Sequence, residues 1–274
     1  MDTHLIDIED FKVNYIEIGS GEPVILLHGL GGSWEDWLEL IPALSPVYRV
    51  CAIDFPGFGK SPPPPRQHEY DLVFVANFMR KFMDAKGYQR VFLVGNSMGG
   101  GIALRCAMDD PERIQGVVLA NGAGLGKEIS GFNRALAFPG IARLAIPFIE
   151  KEHVRAIWKS MFFNPELITP AMIDRTWEWI QKTETKKFLI YLYPKVLSIW
   201  GQKYLLLPEA EKIRCPVLIT WGINDAVLPV LHAVNAFQAI HSAQLTLIRD
   251  CGHVPQLEQA EIFNQSVMKF LKYS

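Results

Sequence analysis

The sequence predicts an α/β architecture: a mostly parallel sheet flanked by helices, with a helical cap inserted in the second half of the chain. Three observations predict it. Five short apolar runs, at 24–27, 50–53, 91–94, 117–120 and 217–220, carry no polar face, as expected of strands covered on both sides. Stretches of helical character, 71–86, 98–108 and 229–240, separate several of these runs, and strands alternating with helices make parallel crossovers. The alternation then stops between about 125 and 208, where no strand is evident.

The elements follow in order. Segments 5–8 and 12–18 succeed each other without a helix and predict an antiparallel start to the sheet. The five buried strands come next, and a last strand at 245–248 and a helix at 260–271 close the chain. The interrupted stretch contains four of the seven tryptophans, Trp158, Trp177, Trp179 and Trp200, with helical spacing at Ile173, Trp177 and Ile180. It reads as a helical cap over 125–208, lying on a core made of 1–124 and 209–274. Most of its aromatic residues are expected to pack the cap on the core. Trp158, Phe162, Trp177 and Tyr191 are the candidates for its substrate-facing side. The four prolines Pro62–Pro65 read as a rigid surface turn of polyproline character.

With 274 residues, 49% of them apolar, the chain is long enough for one large core with a modest insertion. The net charge of −2 gives no electrostatic signature of nucleic-acid or anionic-membrane binding. No uninterrupted apolar stretch reaches the ~18 residues of a transmembrane helix, and the acidic first eleven residues do not resemble a signal peptide. The expectation is a cytoplasmic protein. Cys51, Cys106, Cys215 and Cys251 form no Cys-x-x-Cys pair, and all sit in or beside apolar segments as reduced thiols.

The strongest chemical motif is Gly95-Asn96-Ser97-Met98-Gly99, between the strand at 91–94 and the helix beginning near Met98. A tight strand-to-helix turn of this kind holds a serine hydroxyl exposed beside a helix N-terminus, whose free N–H groups stabilise an oxyanion. A serine is a weak nucleophile without a base. Of the seven histidines, His253 lies in a loop after the last strand, at the carboxyl edge that also carries Ser97. His28 shares that edge but is assigned to bracing its own loop, and the remaining five lie less favourably. Asp225, just past the strand 217–220, is the acceptor for the second imidazole nitrogen. Asp54 is assigned to shaping a turn, and Asp250, three residues before His253, is a local alternative. The backbone N–H groups of Met98 and Leu30, with Gly31 as alternative to Leu30, are the expected oxyanion donors. Gly57-Phe58-Gly59-Lys60-Ser61 ends like a phosphate-binding loop, but Asp54 stands where the first glycine would be. No His or Cys cluster has metal-ligand spacing, and no cofactor or metal is expected.

Together, His28-Gly29-Leu30-Gly31-Gly32, Asp54-Phe55-Pro56-Gly57-Phe58-Gly59-Lys60-Ser61, Gly95-Asn96-Ser97-Met98-Gly99-Gly100, Gly222-Ile223-Asn224-Asp225 and Gly252-His253-Val254-Pro255 resemble the α/β-hydrolase superfamily over nearly the whole chain. The resemblance implies the α/β-hydrolase fold and a Ser97–Asp225–His253 triad in the usual chain order. The Gly95–Gly100 motif is similar to that of meta-cleavage-product hydrolases, which break carbon–carbon bonds. Those enzymes usually carry a proline between two glycines in the His28 loop and a tryptophan after the histidine, where this chain has Gly31-Gly32 and Val254. The chain is more similar to capped carboxylesterases and small lipases, and that resemblance implies hydrolysis of carboxylic esters with an apolar acyl or aromatic part. Carbon–carbon hydrolysis and a ligand receptor without turnover are the alternatives. The expected partner is a small apolar ester-type substrate, and no nucleic acid.

Overall fold

A computed structural model describes residues 1–64, 70–138 and 140–273. Pro65, the last proline of the expected surface turn, lies outside these residues. The chain opens with an antiparallel pair, β1 (His4–Ile8) and β2 (Phe11–Ile18), followed by β3 (Pro23–Leu27). A short helix α1 (Ile41–Leu44) leads to β4 (Arg49–Ile53), then α2 (Leu72–Ala85), β5 (Val91–Asn96), α3 (Met98–Asp109) and β6 (Ile114–Ala120). An inserted segment follows, with helices α4 (Gly131–Leu136), α5 (Ile141–Ala145), α6 (Lys151–Met161), α7 (Pro170–Ile180) and α8 (Thr183–Val196), and two short strands, β7 (Leu197–Ser198) and β8 (Gly201–Gln202). The chain returns through β9 (Val217–Gly222), α9 (Leu231–Ala239), β10 (Ala243–Ile248), α10 (Pro255–Glu258) and α11 (Ala260–Lys272).

The main sheet has eight strands in the order β1-β2-β4-β3-β5-β6-β9-β10. β2 runs antiparallel to β1 and β4, and every pairing from β4 to β10 is parallel. The centre is apolar on both faces: all six residues of β5 and all six of β9 are buried. One face is covered by α2, whose Val75, Phe78, Met79, Phe82 and Met83 recur at helical spacing, together with α3 and parts of the inserted segment. The other is covered by α11, through Phe263, Val267, Phe270 and Leu271, and by Trp34 to Leu44. With helices on both faces, the parallel strands send all their carboxyl ends to one edge.

The β7–β8 hairpin corrects the expectation of a strand-free insertion. Two residues per strand are too few for any periodicity to register in sequence. The hairpin is held from outside: Gln202 accepts from the Gly124 N–H at 2.8 Å and donates to the Gly126 carbonyl at 2.8 Å. Among the described residues, no helix is long and apolar enough to cross a membrane.

Candidate active site

The turn between β5 and α3 places Ser97 in a strained left-handed backbone conformation, φ 53° and ψ −116°. Such a turn forms only where the chain can pass very close to its neighbours. A Cβ on Gly99 would overlap the carbonyl oxygen of Leu27, and one on Gly95 would overlap that of Gly99. The backbone at Ser97 is pinned in turn: its N–H donates to the Ala120 carbonyl at 3.0 Å, and its own carbonyl accepts from Ala123 at 2.8 Å. The Ser97 side chain makes no capping bond to α3, so its hydroxyl is not consumed as an ordinary helix cap.

His253 and Asp225 arrive from the loops after β10 and β9. His253 Nδ1 lies 2.8 Å from Asp225 Oδ2, with the two side chains 5% and 0% exposed. The second carboxylate oxygen accepts the Val227 and Leu228 N–H groups at 2.7 and 3.0 Å. Burial pushes the Asp225 carboxyl up, but the His253 charge and the hydrogen bonds from His253, Asn121 and Leu228 together hold it below its usual range. Asp225 is thus ionised and aimed at the imidazole. Asp250, the local alternative, is exposed, with its carbonyl taken by the Gln259 amide at 3.0 Å.

Ser97 and His253 line one cavity, together with Leu30, Gly31 and Met98. The N–H groups of Leu30 and Met98 find no acceptor among the described residues. A serine hydroxyl facing the cavity, an imidazole oriented by an ionised carboxylate, and N–H groups without an acceptor among the described residues can attack a carbonyl carbon and hold the oxyanion that forms.

His28 braces its loop as expected. Nδ1–H donates to the Gly29 carbonyl at 2.7 Å and Nε2 accepts from the Phe55 N–H at 3.0 Å. Complete burial lowers its pKa to about 4, so it stays neutral in both roles. Asp54 gathers the next turn, accepting from Trp34 N–H at 2.7 Å, Lys60 N–H at 2.9 Å and the Asn14 amide at 2.8 Å. The four cysteines are free and buried, and burial raises the thiol pKa of each. His232, on α9, is buried and contacts Glu128 at 2.9 Å.

Of the four aromatic candidates, Trp158 alone lines the cavity, its indole N–H held by Thr176 at 3.1 Å. Phe162 is buried, its ring centroid 6.0 Å from that of Trp158, and does not line the cavity. Trp177 and Tyr191 do not reach the cavity. The physical reason is helical phase. On α7 the cavity side carries Thr176, Trp179 and Ile180, and on α8 it carries Leu189, Leu192, Tyr193 and Val196. At about 100° per residue, Trp177 lies well away from Trp179 around its helix, and Tyr191 points out to solvent. Trp179 was passed over, although its indole N–H donates to the Gly57 carbonyl at 2.9 Å and its ring stacks on Phe58.

Four supporting groups also escaped sequence reasoning. Asn121, at the carboxyl end of β6 with φ 49°, donates to Asp225 Oδ2 at 2.6 Å. Asn96 donates to the His253 carbonyl at 3.0 Å. The Met161 carbonyl at the end of α6 accepts the His253 N–H at 2.7 Å. Buried Glu258 joins the two parts of the molecule, accepting from Gly252 N–H and Asn164 N–H at 2.6 Å each. The position of Asn121 directly after a buried strand was a usable signal for one of them. The Met161 and Glu258 contacts depend on where the inserted segment lands, and the Asn96 contact on where the His253 loop lands.

Among the described residues, no group of three His, Cys, Asp or Glu side chains could hold a metal ion. The model of the α/β-hydrolase fold family matches residues 22–260, and the chain belongs to that family. It is 34% identical to the 2-hydroxy-6-oxo-6-phenylhexa-2,4-dienoate hydrolase of Comamonas testosteroni, over 97% of this chain and 93% of that protein. A meta-cleavage product hydrolase from Pseudomonas fluorescens superposes with a TM-score of 0.87 at 26% identity, covering 98% of this chain and 97% of the other. A carboxylesterase of Bacillus subtilis shares the fold, with a TM-score of 0.83 at 22% identity, covering 100% of this chain and 92% of that one.

Proposed function

We propose that the protein is a serine hydrolase in which Ser97 attacks an acyl carbon, His253 is the base and Asp225 orients and stabilises the imidazolium. The observation that carries the reading is the buried 2.8 Å His253–Asp225 contact beside the strained Ser97 turn. His253 takes the Ser97 proton as Oγ bonds to the carbonyl carbon, and the oxyanion rests on the Met98 and Leu30 N–H groups. Collapse breaks the bond to the leaving group, which receives the proton from His253. Water then enters by the reverse roles and releases the acid. The inserted segment acts as a cap that walls the cavity and excludes water.

The bond broken is the finer question. The whole-length likeness to a dienoate hydrolase favours a carbon–carbon bond, the leaving carbon being the atom that is protonated. This displaces ester cleavage from first place. One observation keeps the ester reading as the second: among the described lining residues there is no Lys or Arg to meet a substrate carboxylate, and the acidic side chains present are Asp36 and Asp71. The cavity, about 220 Å³, is larger than the ~150 Å³ that accommodates benzene, so a phenyl or medium acyl group fits. The test is a side-by-side measurement of kcat/KM on a dienone ring-fission product, followed by its absorbance, and on p-nitrophenyl esters of increasing chain length. Higher kcat/KM on the dienone supports the first reading and higher values on the esters the second. Turnover of neither overturns the proposal.

A further inference from the structure

The charge of the chain is unevenly placed. Segment 125–208 contains twelve Lys and Arg against seven Asp and Glu, a net +5, which leaves −7 for the rest. Within it, 129–149 and 185–204 hold six Lys and Arg and no acidic residue. The balanced net charge of −2 conceals this.

The same two stretches expose large apolar side chains. Leu144 is 68% exposed, Phe148 77% and Trp200 79%, and Phe132, Phe138 and Tyr191 are each more than half exposed. These residues belong to elements in mutual contact: α4 packs on α5 and on β7, and α8 packs on α5 and on the 3-10 turn Ile146–Phe148. Trp200 sits at the tip of the β7–β8 hairpin. Cations are interleaved with them. Lys187 and Lys195 lie four residues before and after Tyr191 on α8 and share its exposed side, and Lys186 Nζ donates to the Pro147 carbonyl beside Phe148. Phe132 also lines the cavity, so this face borders the opening to Ser97.

We propose that this face docks on a lipid surface with anionic headgroups, with the cavity mouth turned toward the bilayer. The chemistry fits that occupant. Aromatic and aliphatic side chains enter the boundary between headgroups and acyl chains, while long cationic side chains reach the headgroup phosphates. A protein partner for so apolar a face would need matching carboxylates, whereas an anionic bilayer presents negative charge and apolar depth together.

The test is co-sedimentation of the full chain with two kinds of vesicle, phosphatidylcholine alone and phosphatidylcholine mixed with phosphatidylglycerol. Binding to the mixed vesicles, weakened by added salt and much lower on phosphatidylcholine alone, is the expected result. The combined variant Leu144→Ser, Phe148→Ser and Trp200→Ser should lose binding at least about tenfold while its thermal unfolding is unchanged. Lys187→Glu with Lys195→Glu should lose the preference for the mixed vesicles. No binding to either vesicle, or binding unaltered in both variants, overturns the proposal. So does a lipid-free dimer by light scattering that the triple serine variant converts to monomer, since the face would then belong to a second copy of the chain.

Discussion

The carboxyl edge of the sheet and the inserted segment differ in what holds their functional groups. Ser97, Asp225 and His253 project from loops at the carboxyl ends of β5, β9 and β10, and are tied down through neighbours such as Asn121, Asn96 and the Ala120 carbonyl. The cavity residues Trp158, Trp179 and Tyr193 project from amphipathic helices whose rotation against the sheet selects which of them face inward. The edge therefore fixes atoms to within a hydrogen bond, as bond-making requires, and the insertion fixes a shape. Chemistry can stay constant on the first while the second changes substrate, which is how one fold serves many reactions.

The largest effects should come from breaking the edge. Ser97→Ala should lower kcat by about four decades or more with the fold intact. Asp225→Asn should cost about two to four decades, because an amide cannot stabilise the imidazolium and favours the wrong tautomer. Steady-state kinetics on the better substrate of the panel checks both, and equal activity in Asp225→Asn and the parent would remove Asp225 from the mechanism.

A second effect belongs to the loop beneath the cavity. His28 stays neutral down to about pH 4 when folded, against 6.5 for an unperturbed imidazole. Between those values the unfolded chain holds a proton that the folded chain does not. His28 therefore contributes stability fully above 6.5, and that contribution is lost as pH falls toward 4. From near pH 7 to near pH 5 the loss is about 2 kcal/mol. Urea unfolding of the parent and of His28→Asn at both values should show the gap between them shrinking on acidification.

The junction of the two regions gives a smaller change. Glu258 accepts one N–H from the His253 loop and one from the inserted segment, so Glu258→Gln leaves one of these donors poorly paired. We expect a stability loss of about 1–3 kcal/mol, with kcat reduced and KM held, since Glu258 positions His253 without lining the cavity. Thermal melts and steady-state kinetics on the same variant check this together.

The smallest effect sharpens the comparison from the other side. Trp179→Ala should lower kcat/KM for the largest substrates by about tenfold or more and leave the smallest little changed, through lost apolar contact. Tyr191 is exposed on the outer side of α8, so Tyr191→Ala should leave the profile over chain length as it is. A shift caused by Tyr191→Ala would mean that the helix phase inferred for α8 is wrong.

The same contrast explains what was legible in the sequence. Buried parallel strands leave uninterrupted apolar runs, and the β5–α3 turn needs glycine at 95 and 99, so the sheet and the Ser97 turn are written locally. Asp225 and His253 follow from lying just after strands. Trp179 was unreadable because its partners, Gly57 and Phe58, are about 120 residues away. Gly57 was read as part of a loop motif, whereas a Cβ there would overlap the Phe188 ring of α8. Trp177 was chosen over Trp179 because spacing gives the period of a helix and not which side meets the sheet.

Every proposed step requires Ser97 to act as a nucleophile activated by His253. Intact-protein and peptide mass spectrometry after timed exposure to a fluorophosphonate tests both parts at once. One adduct mapped to Ser97, absent in Ser97→Ala and formed at least about a hundredfold more slowly in His253→Ala, is the result predicted. An adduct on another residue, or an equal labelling rate without His253, would contradict it.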